Sequence, residues 1–296
     1  MTLLRRRTLL GYAIGAVVAG CAGPPPSASE RTVDSAHGPI AVPERAERVV
    51  CLDLSKIQRM LDVGCVPIGV LDGWQPVAEH AAWYASVART GTQSAPDVEA
   101  IAALRPDLVL GSPQGVDDAL YGRLSALAPT VVLAARGLGA GWKELSEADA
   151  IAAGRQDGLA AVRERYLGRV AELRTTRAAA LRERWIGFYG IPGGAYALLP
   201  ESGPGVVLTD LGVPPVGQVS GIFQEVSYEE LGRYAGAGLV LLDAQADGSL
   251  TPPTAALRAQ PTFASLADRA VAASHLLVFS YGEALALLDQ LDVALR

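Results

Sequence analysis

Pro96-Asp97-Val98-Glu99-Ala100-Ile101-Ala102-Ala103-Leu104-Arg105-Pro106-Asp107-Leu108-Val109-Leu110-Gly111 decides the architecture of this chain. Asp97 is a good side-chain cap for a helix over 98–104, and Glu99 in the first turn complements the positive helix end. Pro106 ends the helix, because proline cannot continue it. The apolar run Leu108-Val109-Leu110 then reads as a short buried strand. A second copy of the pattern begins at Val226-Ser227-Tyr228-Glu229-Glu230-Leu231 and runs through Ala235 to Leu239-Val240-Leu241. Two helix-to-strand units of one kind, far apart in the chain, predict two similar lobes.

Working outward, apolar runs at 48–52, 66–70, 108–110 and 131–133 alternate with helical patterns at 55–63, 98–104 and 117–127. Strand, helix and strand at this pitch mean a parallel sheet. Gly64-Cys65-Val66-Pro67 and Ala128-Pro129-Thr130 punctuate it as Pro106 does. The alternation stops at a helical stretch over 157–182, where Leu159, Val162, Tyr166, Val170 and Leu173 mark one apolar face. At ~1.5 Å per residue it would reach roughly 39 Å, the width of a small domain. Its arginines, among them Arg163, Arg165, Arg169, Arg174 and Arg177, read as a solvated face paired with Glu164 and Glu172. Beyond it, apolar runs return at 185–189, 196–199, 239–242 and 276–279, with helices around 206–211, 228–234 and 283–295. The expected fold is α/β: two Rossmann-like lobes with parallel central sheets, joined by one long α-helix.

The N-terminus carries Arg5-Arg6-Arg7, thirteen uncharged residues and then Cys21 directly after Val18-Ala19-Gly20. A basic start, a short apolar segment and small residues before the cut are the parts of a bacterial export signal. The apolar segment is too short to span a bilayer. Cys21 after Val-Ala-Gly resembles a lipoprotein signal, in which the cysteine takes a diacylglyceryl group. Arg6-Arg7-Thr8-Leu9-Leu10 also resembles a twin-arginine signal, so the Sec and twin-arginine routes both stay open. The expected division is a signal peptide over 1–20, lipidated Cys21 and a flexible tether over 21–39, an N-terminal lobe over 40–156, the connecting helix over 157–183 and a C-terminal lobe over 184–296.

Of 25 basic residues the signal removes Arg5, Arg6 and Arg7, leaving 22 against 31 acidic ones, a net −9. An acidic body does not suggest nucleic acid binding. Cys51 and Cys65 flank neighbouring parallel strands out of level, so two separate buried thiols are expected rather than a disulfide.

Motifs for catalysis are missing: there is no G-x-S-x-G, S-x-x-K, H-E-x-x-H or Walker A sequence. Gly217-Gln218-Val219-Ser220-Gly221 puts its serine one place late. His37, His80 and His275 form no spaced ligand pair and read as unrelated surface residues. Open α/β sheets bind ligands at the carboxyl ends of their strands. The loops there carry Trp74, Gln114, Arg136 and Trp142, with Tyr189 and Tyr281 from the second lobe. Aromatic faces and an arginine suit a bulky, partly apolar, anionic ligand.

These residues resemble the iron-siderophore and cobalamin class of ABC transporter substrate-binding lipoproteins. The likeness rests on Val42-Pro43 with Arg48-Val49-Val50 and Asp53, on 61–70, on Gly91-Thr92 with the opening stretch, and on Leu211-Gly212-Val213 with 226–231. It implies two lobes on a rigid helix, and a glutamate on each lobe that meets the permease: Glu99 and Glu229, with Glu230 as the fallback. It implies a monomeric, non-enzymatic receptor that takes a ferric siderophore, of hydroxamate or citrate type, to a permease and its ATPase. The lipid would hold it to the outer face of the cytoplasmic membrane, and no cofactor is expected, since iron travels inside the ligand. Phe263 and Tyr281 stand where that class often has tryptophan. Haem or cobalamin cargo, a sensor lipoprotein without transport and a secreted α/β enzyme are the alternatives.

Overall fold

Val49, Val50, Cys51 and Leu52 are all fully buried, which a strand achieves only inside a sheet covered on both faces. The computed structural model describes residues 29–133, 137–217 and 220–296. The signal over 1–20, Cys21 and Arg136 lie outside the described residues.

A hairpin of β1 (Glu30–Val33) and β2 (Ile40–Pro43) opens the fold. It is followed by β3 (Val49–Leu52), α1 (Leu54–Asp62), β4 (Gly69–Val70), α2 (Ala81–Ser86) and β5 (Ala88–Arg89). A small hairpin, β6 (Gly91–Thr92) and β7 (Ala95–Pro96), precedes α3 (Val98–Leu104) and β8 (Leu108–Gly111). Then come α4 (Asp118–Ser125), β9 (Thr130–Val132) and α5 (Trp142–Ala153). The sheet order is β5-β4-β3-β8-β9, parallel throughout. Asp97 caps α3 through the N–H groups of Glu99 and Ala100, and Arg105 ends it in the left-handed region at φ 48°.

The folded body starts earlier than the expected boundary at residue 40. β1 pairs with β2, and Arg31 reaches the Ala152 carbonyl at 2.9 Å. The polar sequence there hides a two-stranded ribbon, because neither strand buries a whole face and so neither shows an apolar alternation.

The spine is α6 (Gln156–Thr176), and the five residues expected on its inner face are the buried ones. It ends before residue 182: a 3-10 turn over Ala180–Arg182 leads the chain into the next strand. Its arginines find most of their carboxylates on other helices. The last of these is α9 (Tyr281–Ala294), reached after β10 (Trp185–Ile191), β11 (Gly194–Leu198), α7 (Gly203–Leu211), β12 (Phe223–Ser227), β13 (Leu239–Asp243), α8 (Pro252–Arg258) and β14 (Ala270–Ala273). Arg169 bonds Asp289 at 2.9 Å and Asp292 at 3.1 Å, besides Glu172 at 2.8 Å, and Arg177 bonds Asp292 at 2.7 Å.

The second sheet has the order β12-β11-β10-β13-β14. Its β10, β13 and β14 are parallel, while β11 and β12 extend it antiparallel. The reason is local: β10 and β11 are separated by Pro192 and Gly193 alone, with Gly193 at φ 83°, and a parallel return needs a crossover of a dozen or more residues. The expected strand over 276–279 is not one. Leu276 and Val278 are fully buried, but β14 takes the sheet position and 276–279 packs as irregular chain at the lobe junction. Gly139 and Gly203 both sit against the Val278 carbonyl so tightly that a Cβ on either would collide with it.

Cys51 and Cys65 are buried and unpaired. Cys51 faces Val70 across the ladder, so Cys65 lies well behind its level.

Candidate functional site

A cavity of about 590 Å³ opens between the lobes. Its walls come from the carboxyl ends of strands in both sheets: Asp53 follows β3, Trp74 and Gln75 follow β4, Gln114 follows β8, Asp243 ends β13, and His275 follows β14. That is where the helix N-termini and free loop ends of an α/β sheet converge.

Trp74, Gln114 and Tyr189 lie in this wall. Trp74 is 7% exposed, held edge-on by Trp83 and Tyr84. Trp142 and Tyr281 are not in the wall. Trp142 is fully buried, its ring edge-on to Tyr281 at 4.7 Å and to Tyr166 at 5.6 Å. Each opens a helix, α5 and α9, and the two rings meet the spine's Tyr166. They therefore join the lobes to the spine, with Lys143 over the Trp142 and Tyr166 rings and Arg163 donating to the Tyr281 hydroxyl. Arg136 lies outside the described residues, although its neighbour Gly137 borders the cavity. Phe263 is fully buried in the C-terminal lobe's core.

Sequence reasoning missed Asp53, Arg59, Asp243, His275 and Glu283, all of which line the cavity. For Asp53 and Asp243 a signal existed: each is a carboxylate at the end of a buried apolar run. On α1 the apolar Leu54, Ile57, Met60 and Leu61 mark one face and Arg59 stands off it, while α9, which carries Glu283, has apolar residues on more than one face.

The wall rests on a buried charge cluster. Lys56 and Arg59, on one face of α1, both reach Asp149 of α5, at 2.7 and 2.9 Å, and all three side chains are almost wholly buried. Arg59 also donates to the Phe279 carbonyl at 2.7 Å, which ties the first lobe to the second at the cavity floor. Gln58 and the Gly282 N–H both bond Asp62, at 2.7 and 2.8 Å, repeating the tie one turn on.

Burial pushes the Asp53 carboxyl up, but Lys56 and the hydroxyls of Ser112 and Ser55 outweigh it and hold the group below its usual range. Asp243 is raised by burial against the Thr251 hydrogen bond. Burial also keeps His275 neutral more readily than in water, so it is a wall residue rather than the surface histidine expected. Glu283 is pushed up to about 7 by burial and by Asp62, against the Phe279 N–H and Arg59. Among the described residues no group of three or more His, Cys, Asp or Glu could hold a metal ion.

The expected contact glutamates are on the outer surface: Glu99 in the first turn of α3, Glu229 in the 3-10 turn Tyr228–Tyr234. Glu230 is occupied otherwise. It completes a capping box with Ser227 and bonds Arg233 at 2.8 Å.

Two α/β lobes on one long helix, with a polar and aromatic cleft at the strand ends, define a two-lobed binding protein. The chain belongs to the periplasmic binding protein family, whose model matches residues 49–279. It is 28% identical over 194 residues to the probable siderophore-binding lipoprotein YfiY of Bacillus subtilis, covering 63% of this chain and 58% of that one. It is 32% identical over 111 residues to the Fe(3+) dicitrate-binding periplasmic protein FecB of Escherichia coli, covering 36% of each. The chain thus aligns with less than two thirds of either relative's length. In fold it is similar to a periplasmic solute binding protein of Mycobacterium smegmatis, with TM-score 0.74, 24% identity and coverage of 90% of this chain and 97% of that one.

Proposed function

We propose that this chain is the extracytoplasmic receptor of an ABC importer, which captures a ferric siderophore of hydroxamate or citrate type between its lobes and hands it to a permease. The observation that carries the reading is the 590 Å³ inter-lobe cavity with its aromatic and amide wall, of a size suited to a compact chelate. The names of the two curated relatives support the cargo class. A lipid on Cys21 would hold the receptor, as a monomer, to the outer face of the cytoplasmic membrane.

A second reading has one observation in its favour. Tyr189 and His275 both border the cavity, and either is an axial ligand type for haem. Titrating the full chain in detergent with ferric siderophores, haem and cobalamin, followed by tryptophan fluorescence, separates the two. A ferric siderophore is expected to quench saturably, because Trp74 stands in the wall. Saturable haem binding that His275→Ala or Tyr189→Phe abolishes would transfer the assignment to haem, and silence across the panel would remove the receptor reading.

Delivery would run through Glu99 and Glu229, which are exposed and on different lobes. Glu99→Arg with Glu229→Arg is expected to abolish cargo uptake by cells and leave cargo affinity of the isolated protein unchanged. Normal uptake by the double variant rules out this docking. Because Glu230 is tied into its cap, Glu230→Arg is expected to lower the urea midpoint slightly, and an unchanged midpoint would show that the cap does not depend on it.

A further inference from the structure

The cavity wall has a definite electrical sign. Three carboxyls face it: Asp53 from the end of β3, Asp243 from the end of β13, and Glu283 from α9. Among the described residues, Arg59 is the one Lys or Arg in the wall. Its charge is already spent on Asp149 at 2.9 Å and on the Phe279 carbonyl at 2.7 Å. Lys56 does not border the cavity; it is fully buried on Asp149, which it shares with Arg59, so one positive charge of the trio is left over, and Asp53 feels it. The remaining polar wall is uncharged and contributes amides and hydroxyls, such as Gln75, Gln93, Gln114 and Thr251. With Lys56 set against Asp53, the excess rests on Asp243 and Glu283, and once both are ionised a single further guanidinium would still leave it negative.

A half-enclosed cleft between low-dielectric walls focuses the field of such groups on whatever enters. A polyanionic chelate would meet Asp243, and Glu283 where it is ionised, and lose its hydration without gaining a free cation. A neutral or cationic chelate would keep its oxygens for the amides of Gln75, Gln93 and Gln114.

Resting on the receptor reading above, we propose that the cleft selects an uncharged or cationic ferric complex, of the ferric trihydroxamate type, over a polyanionic ferric citrate or ferric tris-catecholate. Asp243, which has no cation against it among the described residues, is the selecting group. Protonation adds a pH dependence in the same direction: Glu283 gives up its proton at about 7. The charges facing it are Asp62 and Arg59 of α1, with His275 of the same wall.

The test measures dissociation constants of the full chain for three probes at pH 8 and low salt. They are a linear ferric trihydroxamate bearing one ammonium, an uncharged cyclic ferric trihydroxamate, and ferric dicitrate. Both hydroxamates are expected to bind at least about tenfold tighter than dicitrate, with added salt weakening the cationic probe most. Asp243→Asn should weaken the cationic probe about tenfold more than the uncharged one, a differential that mere structural damage would not produce. Tighter binding of dicitrate overturns the charge selection and leaves the receptor reading intact. Equal loss of both hydroxamates in Asp243→Asn removes Asp243 from the selection. If none of the three binds, the receptor reading fails and the selection falls with it.

Discussion

Asp149→Asn is expected to destabilise the protein by about 4 kcal/mol, the cost typical of stripping the partner from a buried ion pair. The side chain keeps its volume, so no cavity opens; what changes is charge. Lys56 and Arg59 would face a neutral amide while both stay buried. Single domains carry only ~5–15 kcal/mol in total, so the transition should move far toward low denaturant. Urea unfolding is the measurement, read as a fall in midpoint at constant slope. Lys56→Met supplies the internal comparison. It removes one cation and leaves Arg59 bonded to Asp149, so its cost should be clearly smaller. A negligible cost of Asp149→Asn would mean that Asp149 acts by packing, since the amide keeps its volume. A second consequence follows from geometry: Arg59 also holds the Phe279 carbonyl, so Asp149→Asn should loosen the cavity floor and weaken cargo binding.

Stability is also expected to fall by about 3 kcal/mol as pH rises from roughly 4.5 to 7 on account of Glu283 alone, at about 1.4 kcal/mol per unit. Its carboxyl titrates near 4.5 when free and at about 7 in the folded protein. Within that window the folded state binds the proton and the unfolded state does not, so the contribution is full below the unfolded value and gone above the folded one. Asp62 and Asp243 are raised too and act in the same sense. Asp53 is lowered, so its contribution is present above its unfolded value and is lost on acidification. Glu283→Gln can keep the acceptor for the Phe279 N–H, now at 2.7 Å, while removing the titration. Denaturation midpoints at pH 5 and pH 8 should therefore converge in the variant and differ in the parent. An unchanged difference would assign the pH dependence to Asp62 and Asp243.

The stretch 96–111 folds much as its own residues dictate. Asp97 caps α3, Pro106 follows its end, and β8 takes up the apolar run. The spine's apolar face was legible in the same way, residue for residue. These signals are local: a cap bonds two or three residues on, and a helix face repeats within one turn. The two-lobed plan followed from such signals alone. Trp74 and Gln114 could be placed because a loop after a parallel strand has only one end of the sheet to enter, and Tyr189 because it lies near the carboxyl end of β10 itself.

Trp142 and Tyr281 show where that reasoning stops. Each follows an irregular segment, as Trp74 does, yet their rings turn inward to Tyr166 while Trp74 turns to the cleft. Arg59 and Phe279 are 220 positions apart, Asp149 and Glu283 come from two further helices, and no spacing in the chain links them. The sequence by itself determined the lobes, the spine and the caps, because those depend on neighbours within about one turn. Which side chains line the cleft, and the sign of its charge, depend on how α1, α5 and α9 pack across the junction. Only the tertiary structure decided that, since burial and pairing are properties of contacts that chain order does not encode.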